Sequence, residues 1–274
     1  KIPAYRQDLT REIDLIEEII RLHGYDSIEA KPEKEEITDK ISFYQRRKVQ
    51  DYFVTQGFYE VLNLSFSDPY YLDMLNIPAN DYRRSFIEIM NPQGQASSIM
   101  RTTFLPGLLK NAVYNFNHGQ ENIKLFELNK VFFTSDKKLG TEKWVISGVL
   151  SGKIAPIHWK NKTENINFFY LKGLIETLLA LFPINKYEIV PSDEPFYQVN
   201  LAAQIRIGKQ VIGTFGKFDP KVAGKFEYDK EIFGFEIDFN ECLKYMNKKG
   251  VVFKEISKLQ TVSRDLSFIV SKEY

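Results

Sequence analysis

One stretch, from Asn91 to Phe133, decides the fold and reads NPQGQASSIMRTTFLPGLLKNAVYNFNHGQENIKLFELNKVFF. Its middle predicts a helix that begins near Pro106, because a proline in the first helical turn has no N–H bond to lose. Apolar residues then recur at about 3.6-residue spacing as far as Asn117. Extended segments flank this helix, and alternate residues of the second one fall on opposite faces of a strand. The stretch therefore predicts a helix packed on an antiparallel sheet.

The rest of the chain alternates between segments with the helical spacing of about 3.6 residues and segments with the two-residue alternation of a strand. Predicted helices lie at 13–23, 41–56, 168–182 and 220–226, and predicted strands at 59–67, 85–90, 143–151, 202–207, 211–218 and 231–239. The short polar segment Gly208-Lys209-Gln210 joins two of these strands as a hairpin. The predicted fold class is α+β, an antiparallel sheet flanked by helices.

Composition describes an ordinary soluble globular protein. The 274 residues are 43% hydrophobic and 27% charged, values typical of such proteins. The formal net charge of +1 argues neither for nor against nucleic-acid binding by the chain as a whole, so any RNA contact depends on a local basic cluster. Three clusters are candidates, each also open to interpretation as a solvated surface: Arg46-Arg47-Lys48, Arg83-Arg84 and Lys248-Lys249.

Cysteine, histidine and hydropathy exclude several classes of protein. Cys242 is the only cysteine, so no intrachain disulfide can form, which agrees with a reducing cytoplasm. The three histidines show no metal-ligand spacing and predict no catalytic histidine. No apolar run approaches the ~20 residues of a membrane span. Both ends, Lys1 and Tyr274, look cut, so we expect an excised fragment of a longer chain.

Four carboxylates near the start of the chain form one candidate site. Asp14, Glu17 and Glu18 stand at i, i+3 and i+4, so one helix face can present all three, and Asp8 lies just upstream. Oxygen-only clusters of this kind suit Mg²⁺. The alternative is a solvated acidic face near a helix N-terminus, where the helix dipole favours carboxylates. Spacing alone favours that alternative.

Two motifs carry a family resemblance. The first is NP…S-x-M-R-T-x-x-L-P-G-L-L…L-F-E-L-x-x-V-F in the central stretch, and the second is P-x-Y-R-x-D-x-x-x-E-x-D-L-I-E-E-x-x-R-x-x-G-Y-D at 3–26. Together they closely resemble the β subunits of bacterial phenylalanyl-tRNA synthetase. The resemblance extends over nearly the whole chain and is weakest at 183–201. There PSDEPFYQVNL at 191–201 replaces the His-Pro-Gly segment of many members, which leaves the role of that loop open.

The resemblance implies a domain organisation. Residues 1–30 correspond to the end of the small domain that precedes the core, and the polar, charged segment 31–40 to a linker. Residues 41–250 correspond to a class II aminoacyl-tRNA synthetase-like core that is catalytic-like but inactive. Residues 251–274 resemble the start of a ferredoxin-like anticodon-binding domain, including its first strand.

The resemblance also implies cofactors and partners. Members carry a Mg²⁺ site, shared with the α subunit, at positions that match Asp8, Asp14, Glu17 and Glu18. The whole enzyme is an (αβ)₂ heterotetramer that attaches phenylalanine to tRNA(Phe), with ATP used on the α subunit. This chain would then be a scaffold that pairs with the α subunit and helps to bind tRNA.

The active-site arginines of class II synthetases are missing. One strand of such enzymes bears an Arg two residues before a Glu, where a permanent planar cation stabilises the α-phosphate. Leu125 takes that place before Glu127. A second Arg is expected at the end of a late glycine-containing strand, but no Arg occurs between Arg206 and Arg264. We therefore expect an empty active site. The alternatives are an active class II-like ligase and a free-standing RNA-binding relative.

Overall fold

The computed structural model describes residues 2–29, 40–94, 97–135, 140–156, 158–160, 164–182, 184, 186–246, 253, 255 and 259–271. The chain divides into two compact units, Lys1–Lys40 and Ile41–Tyr274. Residues 31–39 of the predicted linker and the strand predicted at 251–258, except Phe253 and Glu255, lie outside the described residues.

The first unit contains helix α1, Glu12–His23, followed by a 3₁₀ turn at Tyr25–Ser27. Gly24 ends the helix with φ at 101°, a conformation that glycine adopts without steric cost. The apolar stripe predicted on this helix is present, but α1 buries none of its residues within the unit.

The second unit is built around a seven-stranded sheet in the order β1-β4-β5-β9-β8-β7-β6. The strands of this sheet are β1 Tyr59–Glu60, β4 Ile123–Phe133, β5 Thr141–Ser151, β6 Glu188–Pro191, β7 Tyr197–Ile207, β8 Gln210–Phe218 and β9 Ile232–Asp238, and a separate pair is formed by β2 Phe66–Ser67 and β3 Ile99–Met100. The helices are α2 Lys40–Thr55, α3 Tyr70–Met74, α4 Leu105–Asn117, α5 Phe168–Ala180, α6 Pro220–Lys225 and α7 Phe239–Tyr245.

The sheet is mixed, which corrects the expectation of an antiparallel one. β1 runs parallel to β4, with Tyr59 opposite Leu125, whereas every other neighbouring pair in the seven-stranded sheet is antiparallel. Parallel neighbours need a long crossover connection. Here the segment that carries α3, β3 and α4 supplies it, so the chain returns to β4 in the direction of β1.

Hydrophobic clusters lie on both faces of the sheet. Phe126 and Leu128 of β4 face the cluster shared with α2 and α5, where Phe53 stacks on Phe126 at a centroid distance of 4.9 Å. Leu125 and Val131 face the other way, toward α4 and α6. Because the side chains of β4 alternate, one strand contributes to both clusters.

Other predicted strands are shorter or missing. The predicted strand 59–67 is only β1 and β2, because the backbone N–H of Asn63 donates to the Glu127 carboxylate (3.4 Å) instead of continuing a ladder. The predicted strand 85–90 is reduced to a bridge between Glu88 and Ile99. Residues 263–270 pair with no described strand and are exposed. The short elements β6 and α7 were not predicted.

Candidate functional site

The candidate site lies on the α4 side of the sheet. Sheet register aligns Glu127 with Ser147 and Ser147 with Glu236, so these side chains of β4, β5 and β9 share one face. Helix α4 covers part of that face, and a cavity of about 470 Å³ occupies another part. Class II synthetases, which the sequence resembles, bind ATP and the amino acid on a sheet face, and this cavity also lies on a sheet face.

Leu125 does not border this cavity. Its side chain is 6% exposed and packs in the cluster with Leu105 and Leu108 of α4. The residues of β4 that line the cavity are Val131 and Phe133. Leu125, the position that the sequence aligns with the first arginine of class II synthetases, therefore lies in the core. The β4 residues that do line the cavity are also apolar.

The late strand β9 contributes carboxylates to the cavity. Glu236 accepts hydrogen bonds from Thr103 Oγ1 (2.8 Å) and the Phe104 N–H (2.9 Å), both through Oε2. Burial raises the pKa of Glu236 above its ordinary value. Asp238 caps α7 by accepting from the Glu241 N–H, and burial raises its pKa as well. A catalytic class II synthetase needs an arginine on its late strand, whereas β9 carries the acidic residues Glu236 and Asp238.

Arg83 also borders the cavity, and its role was not recognised from the sequence. The guanidinium donates to both oxygens of Asp81 (2.9 and 2.8 Å) and to Glu194 Oε2 (2.7 Å). Burial lowers the pKa of Arg83, but the hydrogen bonds to Asp81 and the charge of Glu194 outweigh it and raise the pKa. Glu194 is distant in sequence, so no local motif indicates this contact. Arg83 is neutralised internally and is a poor RNA contact.

The charge of the cavity disfavours a polyphosphate. Its cationic lining residues are Arg83 and Lys143, whereas four carboxylates border it, from Glu194, Glu236, Asp238 and Glu241. Lys143 lies 5.3 Å from the centroid of the Phe133 ring. Since ATP is strongly anionic, a lining with more carboxylates than cations repels it.

The four predicted magnesium ligands do not converge. Arg6 donates to Asp8 Oδ2 (2.7 Å) and to Glu18 Oε1 (2.6 Å), so a guanidinium stands between these carboxylates. Arg21 binds the other oxygen of Glu18 at 2.7 Å. The hydrogen bonds to Arg6 and Arg21 lower the pKa of Glu18 to about 2.

Asp14 and Glu17 also stand apart from a common metal site. Asp14 accepts from the backbone N–H groups of Thr10 (3.0 Å) and Arg11 (2.7 Å), which caps the start of α1 and lowers its pKa. Glu17 is exposed. Within the described ranges, no three acidic, histidine or cysteine side chains are placed to hold a metal ion. The arrangement therefore does not fit Mg²⁺ while Arg6 stays bound to Asp8 and Glu18.

A buried ion pair joins the central motif to β4. Arg101 Nη1 lies 2.7 Å from Glu127 Oε1, and Asn63 Nδ2 donates to Glu127 Oε2 at 2.8 Å. Burial raises the pKa of Glu127 and lowers that of Arg101, and the ion pair opposes both shifts. Arg101 and Glu127 both belong to the quoted motif, but the sequence did not indicate that they pair.

An exposed apolar strip lies before this motif. We define the apolar strip as Tyr59, Leu62, Leu64 and Phe66, which are 76%, 81%, 76% and 47% exposed. Four large apolar side chains exposed within eight residues are typical of a surface that another protein covers.

The basic clusters are partly engaged. Arg46 lies over the Trp144 ring at 4.3 Å and donates to Ser42, and Arg47 pairs with Asp51 at 3.4 Å. Arg84 binds Asp73 at 2.6 Å. Lys248 and Lys249 lie outside the described residues. Among the helices that the structure describes, none combines the length and apolar content needed to cross a bilayer.

Comparisons with known proteins agree with the resemblance. Residues 30–239 match the family described as "Phenylalanyl tRNA synthetase beta chain CLM domain", and residues 1–25 match the "tRNA synthetase B5 domain". The chain is 33% identical over 277 residues to the phenylalanine–tRNA ligase beta subunit of Geobacter sulfurreducens, across 99% of this chain and 34% of that protein. The beta subunit of Fusobacterium nucleatum is 34% identical over 282 residues, with the same coverage. The chain thus spans about a third of the length of these relatives.

Solved structures support the fold. Two structures of pyrrolysyl tRNA synthetase from Desulfitobacterium hafniense superpose with a TM-score of 0.57 each, at 13% and 15% identity. They cover 85% and 89% of this chain, and the chain covers 76% and 81% of them. At this identity the likeness concerns the fold alone, which is that of a tRNA synthetase core.

Proposed function

Because the chain belongs to the family of the phenylalanyl tRNA synthetase beta chain CLM domain, we propose that it is the non-catalytic core of a phenylalanine–tRNA ligase β subunit. In this role it scaffolds the catalytic α subunit in an (αβ)₂ heterotetramer. It also helps to bind tRNA(Phe) while the assembled cytoplasmic enzyme uses ATP to attach phenylalanine.

The observation that carries the proposal is the charge of the sheet cavity. A class II adenylation site needs cations at the phosphates, because charge develops there in the transition state. Among the described residues, the cavity is lined by the internally paired Arg83 and by Lys143, beside four carboxylates. The apolar residues Val131 and Phe133 line it on β4. This supports a synthetase fold that has no ATP site of its own.

The apolar strip supports the scaffolding role. It begins in the parallel strand β1 at the edge of the seven-stranded sheet, an edge with no further described strand beyond it. Covering this strip would contribute at most about 1.5–3 kcal/mol for each of Leu62 and Leu64, and less for Phe66, which is already half-buried. An α subunit packed on this edge would supply that burial.

Binding of tRNA and of Mg²⁺ belongs to the assembled enzyme in this proposal. The match of residues 1–25 to a tRNA synthetase B5 domain supports a tRNA contact. For magnesium, Arg6 would first have to leave Asp8 and Glu18, so we assign no Mg²⁺ step to this chain.

The test is phenylalanine-dependent ATP–pyrophosphate exchange by the purified chain, with the α/β enzyme as the positive control. We expect no exchange by the chain alone. Exchange that persists through further purification would contradict the proposal and favour the active-ligase alternative. A second measurement is association with the α subunit, which the proposal requires. Tight tRNA binding without any such association would favour the free-standing RNA-binding alternative.

A further inference from the structure

A second cavity, of about 320 Å³, lies at the N-terminal end of α4 beside β2. Its charged lining residues are Arg101 and Lys110, and no described Asp or Glu borders it. Leu64 and Phe66 of the apolar strip form part of its wall. Because Glu127 pairs with Arg101, the exposed Lys110 supplies the positive charge of this cavity, which is continuous with a surface that is exposed and apolar.

Arg101, which lines this cavity, also has a buried hydrogen-bond donor without a partner among the described residues. The residue is 4% exposed, its Nη1 binds Glu127, and its Nε donates to the Lys130 carbonyl at 3.1 Å. The guanidinium lies over the Phe104 ring at 4.1 Å. Its Nη2 has no hydrogen-bond partner in the part of the chain that the structure describes. A buried charged donor without an acceptor is costly, so an acceptor that reached this position would stabilise the fold.

Two further features point toward a negatively charged acceptor. Lys110 is exposed, and its Nζ donates to a neutral group, the Tyr71 hydroxyl, at 2.9 Å. The N-terminus of α4 opens on the same cavity, where Phe104 provides no side-chain cap and Gly107 lines the wall. Pro106 has no N–H, and the N–H groups of Phe104 and Leu105 already donate to Glu236 and Thr103. The Gly107 N–H and the helix dipole are therefore what this end of α4 offers an anion.

We propose that this cavity binds a carboxylate, carried by an Asp or Glu side chain of the protein that covers the apolar strip. The inference rests on the proposed function, in which that protein is the α subunit. A single carboxylate has two oxygens, one to accept from Arg101 Nη2 and one to pair with Lys110. The apolar wall formed by Leu64 and Phe66 suits a protein partner, whereas an RNA backbone needs cations spread along a groove.

The test uses the full-length subunit that contains this chain, assembled with its α subunit. A carbodiimide joins an amine to a carboxylate that touches it, so mass spectrometry should find Lys110 linked to an Asp or Glu of the α subunit. Lys110→Gln should weaken assembly about tenfold, the loss expected for one charge-assisted hydrogen bond. Lys172→Gln is the matched control, because Lys172 is partly exposed on α5 in a loose pair with Glu176 at 3.6 Å. It should leave assembly unchanged.

The possible outcomes separate the two proposals. Assembly that is unaffected by Lys110→Gln, without a Lys110 cross-link, overturns this inference and leaves the proposed function standing. Failure of the wild-type subunit to bind the α subunit overturns the proposed function and this inference with it. Sodium acetate and sodium phosphate are also titrated into the subunit alone, with the Gly107 amide followed by NMR. If free anion shifts the Gly107 amide resonance saturably and the complex shows no Lys110 cross-link, the cavity binds a small anion. That result overturns the proposal of a carboxylate from the partner.

Discussion

Replacing Arg101 by methionine should lower the free energy of unfolding by about 3–5 kcal/mol, the usual cost of leaving one member of a buried ion pair alone. Glu127 is 0% exposed, and its Oε1 lies 2.7 Å from Arg101 Nη1. After the substitution, Asn63 would be the remaining donor to that carboxylate among the described residues. Burial already raises the pKa of Glu127, so protonation of the stranded carboxyl limits the loss at low pH.

A double variant separates the ion pair from general disruption. Arg101→Met/Glu127→Leu removes both charges, and apolar replacement of a buried pair is often nearly neutral, so it should recover most of the loss. Arg47→Met is the control for removing an arginine. It breaks an exposed pair with Asp51 at 3.4 Å and should cost at most about 1 kcal/mol.

The assay is equilibrium urea unfolding, followed by far-UV circular dichroism and by tryptophan fluorescence. Coincident transitions justify a single unfolding free energy. The reasoning is refuted if Arg101→Met costs no more than Arg47→Met. It is equally refuted if the double variant is less stable than both single variants.

Three further predictions use single positions. In Gly148→Ala the new Cβ would lie 2.6 Å from the Phe235 ring, so we expect the free energy of unfolding to fall by about 1–3 kcal/mol. In Gly173→Ala on α5 the new Cβ would have no atom within 4 Å, so the free energy of unfolding should rise by up to about 1 kcal/mol. Both changes are measured as shifts of the urea midpoint. Burial raises the pKa of Glu236 above 4.5, so the folded state holds the proton more tightly and stability falls as pH rises from 4.5 through the folded pKa. Glu236→Gln should remove this fall and be more stable than wild type at neutral pH, an advantage that disappears below pH 4.5; equal pH profiles of the melting temperature would contradict it. Cys242 is 0% exposed and burial raises the pKa of its thiol, so a maleimide should label it only after unfolding; rapid labelling without denaturant would show that α7 is not packed as described.

Local elements were predictable from local signals. The helix at 105–117 follows from Pro106 and the spacing of its apolar residues, and Gly24 marks the end of α1. The alternation of β4 is also visible in the sequence, because a strand that packs on both faces contributes apolar residues to both. These features depend on neighbours a few residues apart, which is the range that a sequence pattern reports.

Contacts between distant residues were not predictable in the same way. The sequence placed four carboxylates near one helix face, but Arg6 separates Asp8 from Glu18, and Asp14 turns back to cap α1. Arg83 and Glu194 meet across 111 positions, with no motif that links them. The expected strand at 59–67 breaks because Asn63 exchanges ladder bonds for the Glu127 carboxylate.

The sequence by itself determined the family, the α+β class, the central helix and the lack of arginines on the late strand, because each of these is recorded in residue identity or short-range spacing. Only the tertiary structure decided that Leu125 lies under α4, that β1 runs parallel to β4, and that the sheet cavity is lined by acids. It also decided that one buried donor of Arg101 has no partner among the described residues. Such outcomes depend on which distant side chains share a sheet face and which charges meet when water is excluded, and the order of residues along the chain does not specify either directly.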